Sequence, residues 1–347
     1  MSARILAIET AAPPFVMTQR QLWESVFQPW YAKVPDAESL FMNTTVERRH
    51  MSWDPVAAIE KGIPTTAERM QVWETSTLTM GRRINEALFA RIDRDRIGHS
   101  VMATCTGYNG PTPELVLAGE FGLPSTLRRT FIGHMGCYAA FNVIKVALDS
   151  IIARPDELVL ANCTETCSLH LRPEASREQV VTHALFGDAS ASMILGAPTE
   201  EAPGPVIVRT HTETVYETGR MMTWNITDTG FRMTLSPYVP FILCEKAPSF
   251  VDALCAPAGV KREQITRWGI HPGGPKIVDL IGETLGLSDE TLAPSRRVLA
   301  NYGNCSSATI LLVLREVMEV EKPTPGEYGV FMAFGPGLTM ESMLVRF

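Results

Sequence analysis

The stretch GHMGCYAAFNVIKVALDSIIARPDELVLANC, residues 133–163, carries a helix and a strand in succession. Phe141, Ile144, Leu148 and Ile151 recur at spacings of three, four and three, the stripe of a helix with one face in a core. The spacing predicts a helix over 138–154. ELVLANC (157–163) then reads as a strand buried on both faces. Outward from it the same alternation recurs. HSVMATC (99–105), SASMILG (190–196), PVIVRT (205–210) and YGVFMAFG (328–335) read as buried strands, and 306–320 as a second helix. ARILAIET (3–10) reads as a first strand, with a loop at Pro13-Pro14. Alternating strands and helices over this length predict an α/β fold with covered sheets. GAPTEEAPGP (196–205), dense in Pro, Gly and charge, divides the chain into 1–200 and 201–347, with no strong sequence repeat between the halves.

The 347 residues suit one large domain or two tightly joined ones, and 45% apolar against 20% charged residues is globular composition. Lys+Arg 31 against Asp+Glu 38 gives a net charge of −7, the wrong sign for a protein that grips nucleic acid through its phosphates. No apolar run approaches the roughly 18–20 residues that span a bilayer, and the start lacks the basic and apolar regions of a signal peptide. Seven cysteines, an odd number in a long chain, argue against a disulfide framework and for a reduced, cytoplasmic protein. Cys163, Cys167 and His170 have a spacing that a metal could use. No second close Cys/His pair completes a tetrahedral site, so they read as small buried groups at a strand end, and no metal is expected.

Three positions offer chemistry. Cys137 precedes the first turn of the 138–154 helix, with Gly133 and Gly136 easing the approach; free N–H groups and the positive end of the helix dipole favour thiolate there. Local pattern leaves open a nucleophile or a small residue packed at a turn. His271, in RWGIHPGGPKIVD, follows an apolar strand and precedes a glycine turn, with Pro275 suited to the first turn of the next helix. It either reaches into a cleft as an acid or base or holds a loop. Asn304, in NYGNCSSATILLVL, lies in a loop before a helix that Ser306 or Ser307 would cap. It either steadies that turn or donates to a developing oxyanion.

GIHPGGPKIVD, NYGNCSSATILLVL, HALFGDASASMILG and AFGPGLTMES together resemble signature stretches of the type III polyketide synthases, the chalcone synthase-like enzymes. The resemblance runs in order from about Arg4 to Phe347. It implies a thiolase-like, five-layered αβαβα fold with two pseudo-related halves, and a homodimer. It also implies a coenzyme A-dependent acyltransferase. Cys137 would take a starter acyl group from an acyl-CoA, and His271 would hold Cys137 as thiolate. His271 and Asn304 would then form the oxyanion hole in which malonyl-CoA loses CO2 and attacks the starter. The product would be a cyclised pyrone, resorcinol or polyhydroxyarene, and no metal or organic cofactor is implied. Phe186 matches the gatekeeper phenylalanine of the entry tunnel. Gly335, Pro336 and Gly337 match the loop that shapes the cavity wall, with Ala333 in place of a glycine before it.

The departures fall on the cavity. Trp224 stands where plant members have a glycine and Met233 where they have a second gatekeeper phenylalanine, an arrangement similar to bacterial members. His170 and Cys167 replace small cavity-lining residues, Cys105 lies in a stretch that carries hydroxyls in plants, and Gly110 replaces a methionine that reaches across the dimer. Arg48 and Arg49 are the nearest match to the basic coenzyme A entrance, although Asn43 stands where a lysine is expected. The alternative within enzymes is a single-round ketoacyl synthase that draws on an acyl carrier protein. Such a carrier would need a basic docking patch, which the sequence lacks. A silent acyl-CoA-binding partner is the rival from another class, and the intact Cys137, His271 and Asn304 argue against it.

Overall fold

A computed structural model of the chain describes residues 2–199 and 204–347. The expected division at 200/201 falls outside the described residues. Strands are β1 (Ala3–Ala11), β2 (Phe15–Thr18), β3 (Arg48–Met51), β4 (Ile97–Thr104), β5 (Arg128–Gly133), β6 (Leu158–Thr166), β7 (Asp188–Gly196), β8 (Val206–Thr214), β9 (Met222–Thr227), β10 (Gly230–Leu235), β11 (Ile265–Ile270), β12 (Tyr328–Gly335) and β13 (Thr339–Arg346). The helices that matter for the site are α1 (Thr66–Phe89), α2 (Ala139–Ala153), α3 (Arg177–Leu185), α4 (Val239–Cys255), α5 (Pro275–Leu285), α6 (Asp289–Tyr302) and α7 (Thr309–Glu316).

Among the described residues, nine strands share one sheet in the order β11-β12-β13-β8-β1-β7-β6-β4-β5. Its halves repeat one plan. In β1-β7-β6-β4 the successive pairs run antiparallel, antiparallel and parallel. In β8-β13-β12-β11 they run the same way in the same chain order. The halves meet where β1 pairs with β8 at Ala3–Ile207 and Arg4–Val206.

Two apolar helices lie between the halves. The stripe Phe141, Ile144, Leu148 and Ile151 of α2 is buried, as its spacing predicts, and shares a core with Ile310 to Leu314 of α7. Strand residues of both halves, among them Val101, Val159, Met193, Phe331 and Met343, complete that core. Helix α1 packs on β1, β6 and β7, and α4 on β8 and β13, which gives the five layers of a thiolase-like αβαβα fold. Each central helix precedes the equivalent strand of its half, α2 before β6 and α7 before β12, so the residues leading into both helices meet at one end of the molecule.

The second predicted helix needs correcting. Helix α7 is entered through a 3-10 turn, Ser306–Ala308, its N-cap residue is Ala308, and Val317–Glu321 form a π turn rather than a regular end. Neither Ser306 nor Ser307 caps it, because the Ser307 hydroxyl is taken by the buried Glu165 carboxyl at 2.5 Å.

Candidate active site

Cys137 sits in the tight turn between β5 and α2. Gly136 makes that turn with φ +83°, and a Cβ there would lie 2.4 Å from Pro336 Cδ. Glycine is needed for both the left-handed backbone and the close approach of the loop after β12. At the end of β12 a Cβ on Gly335 would meet the Tyr138 ring at 2.8 Å, and in the loop Gly337, with φ +116°, turns the chain into β13. Ala333 lies within β12 and outside the positive-φ set, so the departure from glycine is harmless.

Asn304 occupies the equivalent turn of the other half, before α7. Its backbone is tied to the end of α3: Asn304 N–H donates to Leu185 O (2.8 Å), Gly187 N–H donates to Asn304 O (3.0 Å), and Phe186 forms a parallel bridge with it. The side-chain oxygen accepts the Ser306 N–H at 2.9 Å. Both amide atoms lie 3.9 Å from Cys137 Sγ, Nδ2 as a donor to it and Oδ1 as an acceptor from the thiol.

His271 follows β11 directly. Its N–H donates to Met332 O (2.8 Å) and its carbonyl accepts from Gly273 (2.9 Å), which holds the ring in the interior. It is 1% exposed, and neither ring nitrogen has a hydrogen-bond partner among the described residues. An unpartnered buried imidazole is costly and leaves two nitrogens free for a substrate.

Burial pushes the Cys137 thiol up to about 12, against the opposing pull of hydrogen bonds from Ser306 and Asn304. Burial takes His271 down to about 3. No hydrogen bond joins the two among the described residues, and burial disfavours the charged form of each.

A small chamber adjoins Cys137. Cys105, Cys167, Phe186, Trp224, Met233 and Pro336 line it, with Thr106, Gly136, Met222 and Ser306, and its free volume is about 30 Å³. His170 is corrected: it stands behind the wall. Its Nε2 bonds Thr106 O (2.8 Å) and its Nδ1 accepts the Phe231 N–H (3.0 Å), which fixes a neutral tautomer stacked on Phe231. Beside the chamber lies a group that sequence reasoning missed, Glu165 at the end of β6. It is fully buried and accepts from Cys105 N (2.9 Å), Thr106 Oγ1 (2.8 Å), Thr104 Oγ1 (3.3 Å) and Ser307 Oγ (2.5 Å). Burial raises its carboxyl pKa despite those bonds. The signal was a lone acid within an apolar strand.

A second, larger cavity of about 640 Å³ lies elsewhere, along α3 to its C-terminal end. Leu185, Gly273, Gly274 and Pro275 line it, so it reaches one residue from Phe186 and two from His271. Arg177 and Lys276 bring positive charge to it, with Glu178 beside them. Arg48 and Arg49 do not line it, which corrects the expected entrance. Arg49 is fully buried, donating to His183 O (2.5 Å), Phe186 O (2.9 Å) and Gln19 Oε1 (3.0 Å), while Arg48 donates to Asn301 Oδ1 (2.8 Å).

Comparison with known families decides what these parts belong to. The model of the chalcone and stilbene synthase N-terminal domain matches residues 1–199, and that of the C-terminal domain matches residues 207–347. The chain belongs to the chalcone and stilbene synthase family. It is a type III polyketide synthase and thereby an acyltransferase that works on coenzyme A thioesters. It is 28% identical to the 3,5-dihydroxyphenylacetyl-CoA synthase of Streptomyces toyocaensis, over 99% of this chain and 90% of that one. It is 30% identical to the alpha-pyrone synthesis polyketide synthase-like Pks18 of Mycobacterium tuberculosis, over 88% of this chain and 80% of that one. The structure of 1,3,6,8-tetrahydroxynaphthalene synthase from Streptomyces coelicolor superposes with a TM-score of 0.92 at 25% identity, covering 99% of both chains. PKS-I of the brown alga Ectocarpus siliculosus gives 0.91 at 24% identity, covering 99% of this chain and 98% of that one. The ketoacyl synthase alternative finds no support in these matches. Among the described residues, no helix is long and apolar enough to cross a membrane.

Proposed function

We propose that this type III polyketide synthase loads an acyl group from a coenzyme A thioester onto Cys137, extends it with malonyl-CoA, and releases a cyclised pyrone, resorcinol or polyhydroxyarene. The observation that carries the reading is the approach of the buried Cys137 thiol to the Asn304 amide at 3.9 Å, with His271 also buried and both of its ring nitrogens free. With both groups neutral at rest, His271 takes the thiol proton as Sγ attacks the starter thioester. The Sγ–C bond forms, the coenzyme A S–C bond breaks, and the departing thiolate recovers the proton.

Malonyl-CoA then loses CO2, and the electron pair of that C–C bond becomes an enolate. Asn304 Nδ2–H and a His271 N–H donate to its oxygen. In a water-excluded pocket such fixed donors are strong stabilisers of developing charge. The enolate carbon attacks the Cys137 thioester, and Sγ leaves as thiolate. The electron pairs balance without a metal or organic cofactor. The expected working form is a cytoplasmic homodimer.

The outer cavity suits the pantetheine arm, and Lys276 and Arg177 take the phosphate-binding role expected of Arg48 and Arg49. Lys276 Nζ lies over the Phe241 ring at 4.2 Å, and Arg177 donates to Pro35 O at 3.2 Å and lies 3.6 Å from the exposed Asp36. The Lys276→Ala/Arg177→Ala pair should raise KM for malonyl-CoA far more than for the malonyl thioester of N-acetylcysteamine, which has no phosphates.

The central test is product analysis with malonyl-CoA and a panel of starters. Cys137→Ala should abolish condensation; Asn304→Ala and His271→Gln should slow malonyl-CoA decarboxylation by about 10²–10³-fold. Carbon–carbon bond formation by Cys137→Ala would overturn the assignment.

A further inference from the structure

The turn that carries Cys137 holds two residues with left-handed backbone, Gly136 and His134. Glycine adopts it freely, but His134, with φ +59°, bears a side chain there. Histidine is among the types found in this region, at a cost that its surroundings must offset. Backbone bonding holds the turn lightly. His134 N–H donates to Thr104 O across 3.4 Å, and Gly136 N–H donates to the soft Cys105 sulfur at 3.0 Å. The His134 ring is held more firmly. Its Nδ1 bonds the Tyr108 hydroxyl, and burial lowers its pKa against a hydrogen bond to the Trp224 backbone that raises it. A bond that favours the protonated ring is one that the ring donates. These partners assign the tautomer: the neutral imidazole gives Nε2–H to the Trp224 carbonyl and accepts from Tyr108 at Nδ1. Around it lie the Tyr108 ring at 5.5 Å and the Phe231 ring, edge-on, at 5.6 Å.

We propose that His134 is a positioning residue, which pins the Cys137 turn to Tyr108 and to the β9–β10 hairpin and so fixes where the nucleophile sits. The inference rests on loading at Cys137 as proposed above. Only Met135 and Gly136 separate His134 from Cys137. Met135 is 39% exposed and Gly136 has no side chain, so the imidazole is the last firm hold on the chain upstream of the thiol. Asn304 and His271 are held elsewhere, on Leu185, Gly187 and Met332. A loosened turn therefore shifts the acylated sulfur against the enolate while the enolate's donors stay in place. Reacting atoms need to meet at roughly 3–3.5 Å, and a misplacement of about 1 Å costs about 10²-fold in rate.

Two reactions of the same site separate this role from a general structural one. Decarboxylation of malonyl-CoA calls on Asn304 and His271 and is read as CO2 released from carboxyl-labelled substrate. Condensation also needs Cys137 in place, and is read as product from malonyl-CoA and the starter that serves best in the panel above. His134→Asn keeps a residue suited to left-handed backbone but lacks the ring. Tyr108→Phe keeps the aromatic contacts and removes the hydroxyl alone. The double variant completes the cycle, and Tyr108→Phe decides the matter should His134→Asn fail to fold.

For condensation, kcat should fall at least about ten-fold in His134→Asn and roughly three-fold or more in Tyr108→Phe. Decarboxylation and KM for malonyl-CoA should stay within about two-fold of wild type in both. The double variant should be no more than about two-fold worse than His134→Asn, since the hydroxyl has by then lost its partner. Three results would each overturn the inference while leaving the loading reading intact: condensation at the wild-type rate, additive losses in the double variant, or decarboxylation that falls in step with condensation. Condensation by Cys137→Ala, or none by wild type with any starter, would overturn the loading reading itself and this inference with it.

Discussion

Arg49 illustrates how one residue can be read correctly as a charge and wrongly as a ligand. The run VERRHM looks like a basic edge, but β3 alternates, turning Arg48 outward and Arg49 inward under the α3–β7 connection. There the guanidinium, lowered to about 9 by burial, spans two carbonyls and the Gln19 amide. Arg49→Ala should therefore cost about 2–4 kcal/mol, because three buried acceptors lose their donor, and a denaturant titration would read it. KM for malonyl-CoA should not move in the folded fraction, and a KM effect without a stability loss would restore the entrance role. Cys137 has a related lesson. Its place before a helix was legible, but its protonation depends on burial created by distant sequence. Its alkylation by iodoacetamide should be slow at pH 7 and climb through pH 9 and beyond, followed on the Cys137 peptide by mass spectrometry, since the thiolate is the reactive form. Rapid alkylation at pH 6 would show a resting thiolate after all.

The elements most legible in the sequence were those whose period is set by the core. YGVFMAFG matches β12 residue for residue, and the stripe after Cys137 gives α2 to within one residue at each end. The β9–β10 hairpin was not read as strands, because its residues are half exposed, partly polar and buried on no consistent face. Nor could spacing reveal that the turn before α2 and the loop after β12 touch, although that contact shapes the site. Gly136 measures it. Gly136→Ala imposes a left-handed conformation on a residue with a Cβ, at about 1–2 kcal/mol, and drives that Cβ into Pro336. The turn must move, carrying Cys137 with it, so condensation should fall at least about ten-fold, a loss expected of a 1 Å displacement at a reacting centre. Gly119→Ala, whose Cβ meets nothing within 4 Å, is the control and should keep full activity and stability. Equal behaviour of the two variants would mean that the Gly136–Pro336 contact does not position the nucleophile.

On the scale of the whole molecule, the two halves share a backbone plan while their side chains have diverged, which is why no repeat was visible in the sequence. What joins them is the apolar layer of α2 and α7, and folding also buries titratable groups in both halves. His170 and His183 in the first half and His271 in the second are each taken to about 3 from 6.5, chiefly by burial. In the unfolded chain these imidazoles protonate near 6.5, whereas the folded state resists them until about pH 3. The stability they contribute is thus fully present above pH 6.5 and drains away as the pH falls toward 3. Asp188, raised to about 6 from 3.8 by burial, acts in the opposite sense, as does the raised Glu165: each favours the fold in its protonated form and loses that contribution as pH rises past its folded value. Three histidines against two carboxyls give the histidines the larger share of the acid limb. The melting temperature should accordingly be highest near neutrality and fall steadily below pH 6.5, well before ordinary surface carboxylates titrate. Calorimetry across pH 4–8 checks this, and His183→Gln reads one member. Its neutral amide has no proton to gain, so the slope between pH 6.5 and 4 should flatten even as the broken Tyr31–His183 hydrogen bond lowers stability throughout. A slope that stays the same in that variant would assign the acid sensitivity to groups other than the sealed imidazoles.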